Sequence, residues 1–575
     1  MKRNIYFTLG IVSCLMLSAC EDLTPPVITS LTPQQIYKDY TRTLNFSLSP
    51  YASLVEGFTN IDGAMMASTC DEAEHTLETS AVQKFNTGVW SQLDNPNDVW
   101  STYFNGIRRV NDYLIHADSV NLDYYRLNPS PAQQTVYTQQ KKNLHYWKYE
   151  GRFLRAFFYF ELVKRYGGVP IVTNVINLTD NFLSSKRNTL AECVQFITNE
   201  CDSAATILPL QQDPANMGRA TKGAALALKS RVLLFAASDL FNTPPAGYAN
   251  PLLVSMPVGD RIARWQTAAN AALAVINLSG TGYALASNYR NIFLTFNSPE
   301  IIFIRRNGAS NTFEIASFPI GFDGGKSGTT PSQNLVDSYE VKVNATTSVP
   351  FDWNNPVHAA NPYSPAGTLG RDPRLDASII TNNSQFKGGK PASRAVECWT
   401  GGKDGNGVML ATKTGYYLKK YVDESLDLLQ GRTSVHSWIY FRYAEMLLNY
   451  AEALNEAQGP ITAVYSSINA VRSRVGMPVL PMGLTQEQMR DRIRNECRVE
   501  FAFEDHRPWD VRRWMLGETY FNVPLRGLEI TNNGGVFTYK SVNLENRVFN
   551  SKMYFYPIPQ SELNIMKGWV QNPGW

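Results

Sequence analysis

Trp438-Ile-Tyr-Phe-Arg-Tyr-Ala-Glu-Met-Leu-Leu-Asn-Tyr-Ala-Glu-Ala-Leu-Asn455 is the stretch whose reading decides the fold class. Ile439, Tyr443, Met446, Leu447, Tyr450, Ala451 and Leu454 recur at three-to-four spacing, which predicts one amphipathic helix over the whole run. Arg442, Glu445, Asn449, Glu452 and Asn455 form a polar stripe beside that face, spaced for ion pairs and hydrogen bonds along the helix. Gly459-Pro460 breaks the chain, and a second helix through 468–474 is closed by Gly476 and Pro478. A capping box, Thr485-x-x-Gln488, starts a third helix with Ile493, Val499 and Phe503 inward. It carries Arg494-Asn-Glu-Cys-Arg-Val-Glu-Phe-Ala-Phe-Glu504, and His506-Arg-Pro-Trp-Asp-Val-Arg-Arg-Trp514 follows.

Upstream the helical period recurs. A first helical zone is expected to include 51–67, and 98–111 is amphipathic, with Trp100, Phe104, Ile107 and Leu114 on one side. In 149–170, Phe153, Leu154, Phe157, Phe158 and Leu162 make a heavy apolar face; Gly167 suits a left-handed C-cap and Pro170 prevents continuation. Further helices are expected over 189–208, 219–238 and 265–278, the second rich in Ala and so permitting close helix approach. Helix pairs with small residues at their contacts and Gly or Pro turns predict a mainly α fold, a helical-repeat scaffold. From about 279 to 434 Gly, Asn, Ser, Thr and Pro dominate, which predicts a loop-rich insertion with short elements such as a strand at 301–304.

The 494–504 passage resembles the SusD/RagB family of outer-membrane lipoproteins, which capture nutrients for a partner porin-like transporter. The family form of that helix reads Arg-Asn-Glu-Arg-Arg, and here Cys497 stands in place of the second arginine. Trp100, Tyr103, Ile107 and Asn111 fit the family pattern, as does Arg155-Ala-Phe-Phe-Tyr-Phe160 leading to Tyr166-Gly-Gly-Val-Pro170. So do Pro331-Ser-Gln-Asn-Leu-Val-Asp-Ser-Tyr-Glu340, Arg371-Asp-Pro-Arg374 and Thr414-Gly-Tyr-Tyr-Leu-Lys-Lys-Tyr421, with Tyr556-Pro-Ile-Pro559 and Asn572-Pro-Gly-Trp575 in the tail. The resemblance implies a tetratricopeptide-like α-α superhelix of four repeats. It divides one integrated body into an N-terminal helical region (33–278), a loop-rich ligand-facing region (279–434) and a C-terminal helical region (435–575). It also implies a SusC-like TonB-dependent transporter as partner, with this chain as a lid over its barrel, and an oligosaccharide or polysaccharide ligand. Some relatives serve peptide uptake, so an oligopeptide is the second choice.

The chain has 575 residues, 44% hydrophobic and 18% charged, as in ordinary globular proteins, and its net charge of +3 gives no reason to expect nucleic acid. Lys2 and Arg3, an apolar run from Ile5 to Leu17 and Leu17-Ser-Ala-Cys20 have the order of a secretory signal over 1–19. Cys20 is the expected lipidation site, and 20–32 a proline-bearing tether that anchors the chain without spanning the membrane. Five other cysteines would remain, an odd set without Cys-x-x-Cys. Cys193 and Cys201 lie roughly 12 Å apart on one expected helix, beyond disulfide reach, so buried free thiols are expected.

No reaction chemistry emerges from the motifs. The six histidines are scattered, no Gly-x-Ser-x-Gly occurs, and no cofactor or metal site is expected. Gly321-Phe-Asp-Gly-Gly-Lys-Ser327 is one residue short of a phosphate loop and lacks the leading strand. A glycoside hydrolase would need two acids in environments that set their pKa values apart. Glu496, Glu500 and Glu504 share a helix face near Arg494, Arg498, Arg507, Arg512 and Arg513 and read as an ion-paired structural network; Asp71, Glu72 and Glu74 cluster without an assignable partner. Sugar binding asks for aromatic rings beside hydroxyl-bonding polar groups. Trp90 with Asn86, in the segment before the Trp100 helix, is the leading candidate; Phe313, Phe322, Trp353 and Trp399 follow, each alternatively a loop aromatic tucked into the core. The expected role is therefore binding, not catalysis.

Overall fold

The computed structural model describes residues 32–177, 180, 182–388, 390 and 393–575. The signal segment, Cys20 and the tether up to residue 31 lie outside the described residues.

After α1 (Tyr40–Leu48), the helices form a succession in which each packs on the next. The order is α2 (Trp100–His116), α3 (Pro131–Tyr166), α4 (Leu190–Ile207), α5 (Lys222–Ala237), α6 (Arg261–Ile276), then α7 (Tyr443–Gln458), which carries both α8 (Thr462–Arg474) and α9 (Gln486–Glu500). This is a mainly α, tetratricopeptide-like superhelix. Although more than 160 residues separate α6 from α7 in sequence, the two pack directly on each other. The intervening segment is thus looped out from between two adjacent helices. Packing explains the sequence pattern: Phe153, Leu154, Phe157, Phe158 and Leu162 are all buried on α3, and Ala224, Ala225 and Ala227 on α5 with Ala268, Ala269 and Ala272 on α6 let those backbones approach. Capping boxes at Thr189 and Thr485 start α4 and α9.

Four local expectations are corrected. Trp438–Arg442 is not helical but ends strand β2 (Ser434–Arg442), antiparallel to β1 (Ile301–Ser310), with Ile439 opposite Ile304 and Phe441 opposite Phe303. Its side chains are buried on both faces of the ribbon, so the alternation that marks a half-exposed strand is missing and the chain enters α7 without a breaker. Residues 54–65 are turns and bridges between short 3₁₀ turns at Ser49–Ser53 and Met66–Thr69. Helix α3 begins at Pro131 rather than near Tyr149, because its first half is polar and lacks the apolar face that identifies the second. Gly167 ends α3 at φ +72° but ψ −143°, outside the left-handed helical region; a Cβ there would lie 2.5 Å from the Leu253 carbonyl oxygen.

The polar stripe of α7 is buried, and its partners come from elsewhere in the chain. Glu445 receives Arg231 at 2.6 Å and Glu452 receives Arg513 at 2.5 Å. The Glu496–Glu500–Glu504 row is likewise a structural network, but with unforeseen cations. Arg442 bonds Glu500 at 2.6 Å and Glu504 at 2.7 Å, Arg374 bonds Glu496 at 2.6 Å, and Lys420 bonds Glu504 at 2.7 Å. Burial alone would raise the Glu500 carboxyl; Arg474, Arg442 and Arg374 outweigh it and hold that group well below the ordinary range. The arginines close in sequence go elsewhere, Arg498 and Arg507 to Asp71 and Arg513 to Glu452 and Asp510. Cys70, Cys193, Cys201, Cys398 and Cys497 are free and buried.

The C-terminal part adds a hairpin of β3 (Leu525–Asn533) and β4 (Val536–Glu545). Its two-residue turn, Gly534-Gly535, has φ +65° and +94°, the left-handed pair that matches strand twist and that side chains resist. Leu528 and Ile530 of the hairpin join Tyr416, Tyr417 and Trp438 in a second hydrophobic core beneath the insertion.

Candidate functional site

The structure separates the six aromatic and amide candidates into two groups. Trp90 is 2% exposed and wedged among Phe85, Tyr556 and Trp575, with ring centroids 5.0, 5.0 and 4.6 Å away. It fastens its loop to the end of the chain, and no ring face is left for stacking a sugar. Asn86, 3% exposed, donates to Gln83 at 2.9 Å, and its backbone carbonyl accepts from the Val548 amide. Phe313 lies in the second core against Phe58 and His436. Phe322 packs edge-on to Phe386 beneath the Arg394 guanidinium, 3.9 Å from its ring. Burial corrects the expectation of a ligand face on all four: large rings next to polar loops were drawn into the core by partners far away in sequence.

Trp353 and Trp399 differ. Both keep part of their surface open; Trp399 borders the β3–β4 hairpin directly, and Trp353 is tied to it through Asp337 and Arg526. Trp399 meets Phe537 at 5.3 Å, and two residues on, Tyr539 meets Tyr363 at 5.3 Å. Ser541, two further, accepts from Arg526, which pairs with Asp337 at 2.7 Å; Asp337 in turn accepts the Trp353 indole N–H at 3.1 Å. Phe537, Tyr539 and Ser541 alternate onto one side of β4, so the row spans about 13 Å by strand rise. Half-buried rings in a line, with exposed Asp352, Asn354 and Asn361 near one end, match the chemistry of a carbohydrate platform. Sequence reasoning missed Tyr363, Phe537 and Tyr539. The signal was present as Asn533-Gly534-Gly535 followed by an alternating Phe-Thr-Tyr-Lys-Ser run, the mark of a hairpin.

The acidic cluster contains one pair with pKa values driven apart. Burial would raise Asp71, but Arg498 and Arg507 override it and lower the carboxyl to about 2. Burial and then the Asp71 charge push Glu72 up to about 8. That divergence is what acid–base pairs use. Here, however, Glu72 is fully buried, Asp71 nearly so, and Asp71 is locked by two arginines, leaving no approach for a substrate. Among the described residues no group of His, Cys, Asp and Glu is arranged to hold a metal ion, and no helix is long and apolar enough to cross a membrane.

The fold is a helical-repeat body with a looped-out insertion and an aromatic hairpin surface. The chain belongs to the SusD-like proteins: residues 299–575 match the SusD family, and residues 55–234 match the family described as "starch-binding associating with outer membrane". It is 24% identical over 98% of both chains to SusD-like protein P2 of Formosa agariphila. A crystal structure of a SusD-like protein from Bacteroides fragilis superposes with a TM-score of 0.77 at 26% identity, covering 94% of this chain and 98% of that one. A SusD-like carbohydrate-binding protein from the same species shares the fold with a TM-score of 0.72 at 23% identity, covering 92% and 99%.

Proposed function

We propose that the protein is a cell-surface lipoprotein, anchored through Cys20 to the outer membrane. It binds oligosaccharide or polysaccharide fragments without hydrolysing them and hands them to a SusC-like TonB-dependent transporter. The observation that carries the binding role is the row Trp399–Phe537, Tyr539–Tyr363 and Asp337–Trp353 along one hairpin strand. Flat apolar rings beside fixed hydrogen-bonding groups suit the C–H faces and hydroxyls of a sugar chain. The inaccessibility of the Asp71–Glu72 pair supports binding over hydrolysis. Membership in a family that includes starch-binding, outer-membrane-associated proteins supports the ligand class and the location. The loop-rich region 279–434 supplies Trp353, Tyr363 and Trp399 to this surface, in keeping with a ligand-facing role.

The test is isothermal titration of the full chain, purified in detergent, against a panel of glycans and peptides. Trp399→Ala is expected to weaken glycan binding about tenfold, the loss of roughly 1–1.5 kcal/mol of ring stacking. No product should form on prolonged incubation. Hydrolysis abolished by Glu72→Gln would turn the reading to a hydrolase, and peptide binding alone would turn it to an oligopeptide carrier.

A further inference from the structure

Two adjoining cavities open on the helical part of the body, and they share no residue with the hairpin row. The first, about 390 Å³, lies between α1, α3 and the 209–219 connection. The second, about 380 Å³, continues from it towards β1. Gln211, Gln212 and Arg219 line both, so the two form one cleft with a common middle. Each volume falls within the range of small-ligand sites.

The first half is rich in amides and rings. Gln139, Asn143, Gln211, Gln212 and Asn216 line it beside Tyr40, Tyr146 and Trp147. The side chains are held in place by each other and by the backbone. Gln139 donates to Asn143 at 2.8 Å, Asn143 to the Tyr40 hydroxyl at 2.8 Å, Gln212 to the Ala220 carbonyl at 2.8 Å and Gln211 to the Thr281 carbonyl at 2.7 Å. Gln211 and Gln212 thus line the cleft with their amide N–H groups already engaged by backbone carbonyls. Tyr40 and Trp147 meet at 5.2 Å, and the Arg219 guanidinium lies 5.5 Å from the Trp147 ring. Arg219 pairs with Glu150 at 2.9 Å, yet its Nη2 is buried with no hydrogen-bond partner among the described residues. That nitrogen is enclosed beside the Trp147 ring, so the guanidinium is fixed in place as part of the cleft wall.

Charge in this half is balanced, Lys142 against Asp213 and Arg219 against Glu150, so nothing selects an ionic ligand. The second half is more apolar: Tyr283, Met217 and Phe296 line it together with 301–304, and Phe296, 38% exposed, lies 4.5 Å from the Arg306 guanidinium. Side-chain amides beside half-buried rings and the exposed Phe296, with balanced charge in the first half, are the complement of a polyhydroxylated chain.

We propose that this cleft is a second binding site for a neutral oligosaccharide, separate from the hairpin row. The proposal takes its ligand class from the cleft's own residues and agrees with the functional reading above without depending on the hairpin.

Titration of the full chain in detergent with α- and β-linked gluco-, manno-, xylo- and galacto-oligosaccharides tests it. The wild type is expected to bind two equivalents of one class. Tyr146→Ala and Gln211→Ala, both at accessible positions and checked for native melting, should each weaken one of the two sites tenfold or more and leave the other unchanged. Trp399→Ala should do the converse. A single equivalent, lost in Trp399→Ala and untouched by Tyr146→Ala and Gln211→Ala, would overturn this proposal while sparing the hairpin reading. A single equivalent with the opposite dependence would support the cleft and overturn the hairpin. Silence across the panel, or binding of short neutral peptides in place of sugars, would overturn the ligand class proposed here.

Discussion

Glu72 offers the sharpest physical test of how this body is assembled. It lies between the Met66–Thr69 turn and the strand Ala73–His75, fully buried, and neither carboxyl oxygen has a hydrogen-bond partner among the described residues. Burial, then the neighbouring Asp71 charge, push its carboxyl from about 4.5 to about 8. Below pH 4.5 both the folded and the unfolded chain hold this proton, and pH has no effect through it. Between about 4.5 and 8 the unfolded chain releases the proton while the folded chain keeps it, so stability falls by about 1.4 kcal/mol per pH unit. Above 8 both states are ionised and the loss levels off.

Glu72→Gln removes the titration and keeps the shape. The buried amide still lacks partners, a cost of about 1–3 kcal/mol that does not vary with pH. The informative quantity is therefore the change in the variant-minus-wild-type difference with pH, not its sign at one pH. From the shift at Glu72, that difference should move in favour of the variant by about 3 kcal/mol between pH 5 and pH 7.5. Glu74 and Asp505, each raised to about 7, titrate in both proteins and cancel. Urea denaturation followed by tryptophan fluorescence, at several pH values across that window, reads it directly. Parallel stability curves for the two proteins would refute the reasoning and show that Glu72 finds solvent or a cation in the folded state.

Trp90→Ala should cost about 3–5 kcal/mol as a core truncation while leaving glycan affinity unchanged, read by denaturation and titration of the same sample. Arg442→Met strands Glu300, Glu500 and Glu504 with one fewer cation and should cost about 3–5 kcal/mol, measured as a fall in denaturation midpoint. Gly535→Ala, at φ +94°, should cost about 1–2 kcal/mol and weaken glycan binding through the hairpin it distorts. The five buried thiols, among them Cys193 raised to about 12 by burial, should resist a thiol reagent in the native state and react together on unfolding.

What the sequence disclosed follows from the range of the forces involved. Helices α2, α4, α5 and the second half of α3 were legible because their apolar faces are local patterns, and the Thr485 box because a cap involves residues three apart. The first half of α3 was hidden by its polarity, although Ser130-Pro131 is a helix start in its own right. Strand β2 was misread because burial on both sides erased its alternation. The fate of Trp90 depended on Trp575 and Tyr556, more than 460 positions away, and no local feature of 84–97 distinguishes a ring that will meet them from one that will meet a ligand. Trp353 and Trp399 were visible as candidates, but only the hairpin, through Phe537 and through Arg526 with Asp337, ties both to one element.

Most of the family motifs serve to hold the body together, and they meet the hairpin row at Asp337, which fixes Trp353 and Arg526. Arg374 of the Arg-Asp-Pro-Arg run, Lys420 of the Tyr-Tyr-Leu-Lys-Lys run, and Glu496, Glu500 and Glu504 of the third helix all meet in one buried network closed by Arg442. Such a network is costly to break, since removing one charge leaves its partner buried and uncompensated. Cys497, where the family form has arginine, fits the same logic: it is buried close to Glu452 and Asp510, acids that Arg513 already pairs. The network thus clamps the insertion and the C-terminal helices to the superhelix. The hairpin row depends on that clamp without sharing residues with it, and the helical cleft shares none either. On the proposed sites, a chain could keep the buried network, and with it the fold, while exchanging Trp399, Tyr363 or Tyr146. That is why the motif residues reveal the architecture so readily and leave the ligand open.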